Sequence, residues 1–166
     1  MAETSTNNAK IQILVMDVDG TLTDGKIYMG DHGEVLKAFN VKDGYAIKEI
    51  LPKYNILPVI ITGRSSGIVE NRARELNITH IYQGVKDKLS LLREMARERN
   101  LAMSNVAFIG DDINDLDCMI NCGFKGCPAD AAPEIRAIAD FISAKTGGDG
   151  AVREFIENIV ENYEYE

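Results

Sequence analysis

Short, strongly apolar runs recur along the chain at Ile11–Met16, Leu57–Ile61, Ile78–Tyr82, Val106–Ile109 and Phe124–Cys127, with a briefer one near Phe141. Runs of this kind lack a regular polar face, so as strands they must be covered on both sides, as in a parallel sheet. The stretches between them are longer and amphipathic. Helices are expected at Tyr45–Lys53, Ser66–Leu76, Lys88–Arg99, Asn114–Asn121 and Pro133–Ala139, and a last one from Val152 to about Asn162 follows a flexible Gly147-Gly148-Asp149-Gly150. The alternation predicts a three-layer, doubly wound α/β fold with a mostly parallel, Rossmann-like sheet. One segment departs from it. Lys26–Met29 and Val35–Phe39 are strand-like and flank Gly30-Asp31-His32-Gly33, which predicts a β-hairpin directly after the first strand. His32 is expected in that turn as a solvated residue.

At 166 residues the chain fits a single domain, 1–166, with 1–9 expected to be a flexible lead. A net charge of −8 argues against a basic nucleic-acid-binding surface. No apolar run approaches the ~20 residues that span a bilayer. Met1 to Asn8 is polar and lacks the apolar core of a signal peptide, so a cytoplasmic protein without membrane contact is expected. Cys118, Cys122 and Cys127 match no paired zinc spacing and have no histidine nearby, which reads as three small core residues.

Ligands of open parallel sheets bind beyond the C-terminal strand ends, so what each strand delivers there is informative. The first ends in Asp17-Val18-Asp19-Gly20-Thr21 and the second in Thr62-Gly63-Arg64. The third leads to Asp87-Lys88, and the fourth ends in Gly110-Asp111-Asp112, followed by Asp115. Each alone has a plain explanation: Thr62 as a helix cap, Lys88 as a solvated lysine, Asp111 and Asp112 as caps of the next helix. Their convergence on one edge, in order, is better explained by a shared site. Asp17, Asp111 and Asp115 would repel one another unless a hard cation such as Mg²⁺ sat among them. The cation would let the Asp17 carboxylate approach a phosphate, and Asp19, two residues on, lies on the same side of an extended chain as a candidate acid/base. Thr62, the Gly63 amide and Lys88 are candidates for the phosphoryl oxygens, with Asp112 and Asp115 as supporting groups.

These residues resemble the haloacid dehalogenase superfamily of phosphotransferases, whose four motifs match Asp17-Val18-Asp19-Gly20-Thr21, Val59-Ile60-Ile61-Thr62, Lys88 and Gly110 to Asp115. The resemblance implies Asp17 as nucleophile, Asp19 as acid/base, and Mg²⁺ held by Asp17, the Asp19 carbonyl and Asp111. The intervals between motifs leave no room for a cap domain. Asp24-Gly25, Thr62 to Ser66, Gln83 to Leu89 and Gly147 to Glu154 look like the capless 3-deoxy-D-manno-octulosonate 8-phosphate phosphatase family. That family implies a homotetramer joined through its hairpins and a phosphorylated eight-carbon keto sugar acid as substrate. Thr21 departs from it, standing where Val is common. Arg64 is a candidate for the substrate carboxylate, with a surface arginine or intersubunit salt bridge as the alternative. Arg153 is open in the same way, between a ligand contact across a subunit boundary and a structural ion pair.

Three other readings remain at this level. Relatives acting on nine-carbon keto acid 9-phosphates tend to carry Glu at the position of Arg64. A phosphoacceptor signalling domain shares the acidic cluster, Thr and Lys, but lacks a second aspartate at the place of Asp19. A catalytically silent oligomerisation module would have no reason to keep Asp17, Asp19, Lys88 and Asp111 together.

Overall fold

The computed structural model describes residues 10–163. The lead at 1–9, expected to be flexible, and residues 164–166 lie outside that range. Six parallel strands form the sheet: β1 (Ile13–Met16), β4 (Leu57–Ile61), β5 (His80–Tyr82), β6 (Val106–Ile109), β7 (Phe124–Cys127) and β8 (Phe141–Ile142), in the order β5-β4-β1-β6-β7-β8. β2 (Tyr28–Gly30) and β3 (Gly33–Leu36) form a separate antiparallel hairpin whose turn carries Asp31 and an exposed His32. The first strand thus lies mid-sheet, with β4 and β6 on either side. The order of connections reverses there, which is where doubly wound sheets bind ligands.

Alternation along β1 shows why both faces must be apolar. Leu14 and Met16 join one core with Ile60, Ala107 and Ile109, whereas Ile13 and Val15 join the other with Val59, Ile61 and Phe108. Helices α2 (Gly67–Glu75) and α6 (Ala151–Asn162), with Ala46 and Ile47 just after α1 (Val41–Tyr45), cover the first face. Helices α3 (Lys88–Glu98), α4 (Leu116–Asn121) and α5 (Pro133–Ile138) cover the second. In α6 the 3.6-residue period places Val152, Phe155, Ile156 and Ile159 on one buried stripe, each worth roughly 1.5–3 kcal/mol. Cys118, Cys122 and Cys127 are free thiols in the second core, and burial raises the pKa of all three.

Two expectations change. The helix expected at Tyr45–Lys53 starts earlier, at Val41, capped by the Asn40 side chain on the Lys42 amide. It then widens into a π-helical turn at Ala46–Ile50 and tightens into a 3₁₀ turn at Leu51–Tyr54. Pro52 has no amide to continue the α-helical ladder, so the chain changes pitch and places the proline at the start of a new turn. The second change concerns Gly147 to Gly150, which is held rather than loose. The Gly147 amide donates to Asp130 Oδ1, the Gly148 amide donates to the Thr21 carbonyl, and a Cβ on Gly147 would overlap the Gly20 carbonyl. Arg153 pairs with Glu157 at 2.5 Å and lies over the Tyr45 ring.

Candidate active site

The predicted residues meet at the C-terminal edge. β1 runs into Asp17, whose amide is fixed by the Ile109 carbonyl of β6 at 3.1 Å. β4 runs into Thr62, whose amide is fixed by Tyr82 of β5 at 2.9 Å. Asp17, Asp19, Thr62, Gly63, Arg64, Asp111, Asp112 and Asn114 line one open cleft of about 180 Å³. Lys88 reaches it from the first position of α3, because Asp87 caps that helix by accepting from the Ser90 amide at 3.0 Å. The helix after β4 is capped by Ser66, which leaves Thr62 free of the capping role.

Lys88 is the centre of the charge arrangement. Its ammonium donates to Asp17 Oδ1 at 2.9 Å and to Asp115 Oδ1 at 2.7 Å, with all three side chains buried. Burial works to lower the lysine pKa, but the charges of Asp17 and Asp115 outweigh it and the net shift is upward. Asp115 also accepts from the Asp111 amide at 3.1 Å, so both of its oxygens are engaged. Asp112 caps the turn that follows, accepting from the Ile113 amide at 2.8 Å.

Asp17, Asp111 and Asp115 each place a carboxylate oxygen within 4.8 Å of the others. One ammonium against three carboxylates leaves surplus negative charge. Burial raises the Asp17 pKa against the pull of Lys88. Burial, with the charges of Asp17 and Asp115, takes Asp111 to about 8, and burial with the Asp17 charge takes Asp115 to about 6. An oxygen-only donor set with excess negative charge fits a hard divalent cation such as Mg²⁺. Thr21 donates its hydroxyl to Asp111 Oδ1 at 3.0 Å, leaving Oδ2 without that partner. Thus the side chain that departs from the family pattern orients a carboxylate of the cluster. Gly20 has φ of +92°, and a Cβ there would run into the Asp111 carboxylate, so the loop needs glycine on both counts.

Asp19 has partners that spacing alone did not reveal. Its Oδ1 lies 2.5 Å from Lys37 Nζ, and its Oδ2 lies 3.9 Å from Arg64 Nε. Glu34 links the two cations, 2.8 Å from Lys37 and 3.5 Å from Arg64. Burial would lower the Lys37 pKa, but hydrogen bonds to Asp19 and Glu34 raise it overall. Arg64 lines the cleft, half exposed, near the carboxylates of Asp19 and Glu34. Asn114, which lines the cleft opposite Gly63, was likewise not singled out from the sequence. The one signal for Lys37 and Glu34 was the hairpin's direct attachment to the first motif.

A family model described as haloacid dehalogenase-like hydrolase matches residues 77–156. The chain is 46% identical over 144 residues to the 3-deoxy-D-manno-octulosonate 8-phosphate phosphatase of Escherichia coli, covering 87% of this chain and 76% of that relative. Among solved structures it resembles the 3-deoxy-D-manno-octulosonate 8-phosphate phosphatase of Moraxella catarrhalis, in complex with a magnesium ion, a phosphate ion and a KDO molecule. The TM-score is 0.87 at 43% identity, over 91% of this chain and 86% of that one. The cobalt-bound deoxy-D-mannose-octulosonate 8-phosphate phosphatase of Haemophilus influenzae superposes with a TM-score of 0.87 at 32% identity, covering 92% and 88% of the two chains.

Proposed function

This chain belongs to the 3-deoxy-D-manno-octulosonate 8-phosphate phosphatase family of haloacid dehalogenase-like hydrolases, and from that membership we propose how its residues act. It is a Mg²⁺-dependent phosphomonoester hydrolase whose substrate is 3-deoxy-D-manno-octulosonate 8-phosphate, a small phosphorylated sugar acid. The observation that carries the assignment of roles is the buried Lys88, bridging the Asp17 carboxylate to Asp115 at the floor of the cleft.

In the proposed cycle, the Asp17 carboxylate attacks phosphorus while Lys88 holds its Oδ1. The bond from phosphorus to the sugar oxygen breaks, and Asp19 gives that oxygen its proton. Asp19, now a carboxylate, takes a proton from water. The resulting hydroxide attacks the phospho-aspartate, breaking the bond to Asp17 and releasing inorganic phosphate. Thr62, the Gly63 amide and Lys88 hold the phosphoryl oxygens. Asp17, the Asp19 carbonyl and Asp111 would hold magnesium, with Asp112 and Asp115 supporting them. When bound, the cation offsets repulsion between the carboxylate and the phosphate and stabilises charge on the transferring group. Asp19 also separates this reading from a phosphoacceptor domain, in which the phospho-aspartate would persist.

Residues 1–166 act in this reading as one cytoplasmic domain that assembles as a homotetramer. Among the described residues no helix is long and apolar enough to cross a membrane. The hairpin supports assembly: Tyr28, Met29, Val35 and Leu36 are exposed, Met29 at 64%, on a two-stranded sheet that pairs with no other strand among the described residues. Such a ribbon is marginal alone, and its exposed apolar side chains suit association with other copies. Arg64 at the rim is the candidate for the substrate carboxylate.

The test is phosphate release with Mg²⁺ from the eight-carbon keto acid 8-phosphate, a nine-carbon keto acid 9-phosphate and p-nitrophenyl phosphate, for the wild type, Asp17→Asn and Arg64→Ala. Preference for the eight-carbon compound, lost in Asp17→Asn, is expected. Arg64→Ala should raise KM for the keto acid far more than for p-nitrophenyl phosphate. A nine-carbon preference would overturn the substrate, and no release from any compound would overturn the reaction.

A further inference from the structure

The hairpin leaves most of its apolar side chains exposed, yet one of its charged side chains is the best buried. The Lys37 side chain is 1% exposed and lies beside Asp19. An ammonium loses its hydration on burial and is tolerated only when carboxylates replace it. Here there are two, Asp19 and Glu34. The carboxylate of Asp19 is held at Oδ1 by the hydrogen bond from Lys37, while Arg64 of the loop after β4 stands 3.9 Å from Oδ2, half exposed. A buried ammonium in direct hydrogen-bond contact fixes where that oxygen stands. Glu34 ties the two cations to each other, so the hairpin and the β4 loop are braced together.

We infer that Lys37 is a positioning residue for Asp19, delivered by the hairpin, so that the segment exposed for association also sets the geometry of proton transfer. The inference rests on the reading of Asp19 as the acid/base. Proton transfer needs its donor and acceptor oxygens within hydrogen-bond reach, and a displacement of about 1 Å costs on the order of 100-fold. Lys37→Met removes the ammonium and keeps the length of the stem. Lys37→Arg restores a cation that reaches the same carboxylates.

The experiment is steady-state hydrolysis of the eight-carbon substrate with Mg²⁺ by Lys37→Met, Lys37→Arg, Asp19→Asn and the double variant Lys37→Met/Asp19→Asn. Thermal melts establish that each is folded. Lys37→Met should lower kcat between about 10- and 100-fold with KM within about threefold, and Lys37→Arg should recover most of it. In the Asp19→Asn background Lys37→Met should change kcat less than about twofold, because the group it positions is gone. An unchanged kcat in Lys37→Met overturns the proposal. So does an equal further loss in the double variant, which would make Lys37 a fold staple or a direct contact to substrate. If Asp19→Asn itself turns over like the wild type, the acid/base reading fails first.

Discussion

Replacing Lys88 by Met tests the charge balance at the floor of the cleft. The ammonium is buried between Asp17, 4% exposed, and Asp115, fully buried, at 2.9 and 2.7 Å. Removing one partner of a buried ion pair leaves charge that water cannot reach and typically costs about 3–5 kcal/mol. In a domain of 166 residues that corresponds to a fall in Tm of roughly 6–20 °C. The loss must depend on pH in a definite direction. The carboxylates already bind protons more tightly folded than unfolded, Asp115 to about 6 and Asp111 to about 8, and removing the cation strengthens that preference. A folded state that holds extra protons loses stability as pH rises, so the gap between variant and wild type should widen from pH 5 to pH 8. The assay is a pair of thermal melts in chelator at those two values, repeated with Mg²⁺, which should narrow the gap by replacing the missing charge. Phosphate release should fall at least ~100-fold, the usual cost of removing a donor aimed at the transferring group. A gap below 2 °C at pH 8, or one that widens towards acid, would refute the reasoning.

Two further predictions concern groups outside the cleft. Asp43 is buried beneath the start of α6, where Oδ1 accepts from the Arg153 amide at 2.8 Å and Oδ2 has no hydrogen-bond partner among the described residues. Burial raises its pKa from 3.8 to about 6, so raising the pH across that interval costs the folded state about 3 kcal/mol. Asp43→Asn keeps the accepting oxygen and should flatten the stability profile between pH 4 and pH 7 in urea melts; parallel profiles would refute the cause assigned. Gly147→Ala would drive a Cβ into the Gly20 carbonyl and displace the loop that carries Asp17 and Asp19. It should lower kcat about 100-fold, whereas Gly67→Ala, where the space is open, should not; equal activities would show that the contact is unimportant.

Much of this was legible because the site and the fold obey the same rule. Apolar runs identified the strands, and in a doubly wound sheet strand ends are where ligands bind, so Asp17, Thr62, Lys88 and Asp111 were found from position and residue type together. Asp87 and Ser66 cap the helices that begin where the pattern placed them. What was hidden depends on tertiary contact. Nothing in the sequence around Lys37 distinguishes a lysine buried against Asp19 from one pointing into water, because the hairpin's side chains alternate without regard to what it folds over. The π-helical turn at Ala46–Ile50 was hidden for another reason, that Pro52 marks a break without saying how the chain will re-form around it. Gly147 to Gly150 read as a loose hinge because glycine serves mobility and close packing equally well. Only the contact with Gly20 distinguishes the two.

That contact also runs against the order of synthesis. Every motif residue from Asp17 to Asp115 is translated before Gly147, yet the loop bearing Asp17 and Asp19 is buttressed by Gly147 and Gly148 through the Thr21 carbonyl and the Gly20 backbone. The loop that bears the first two aspartates is thus completed by residues far along the chain, and its full set of contacts exists only once the segment leading into α6 is in place.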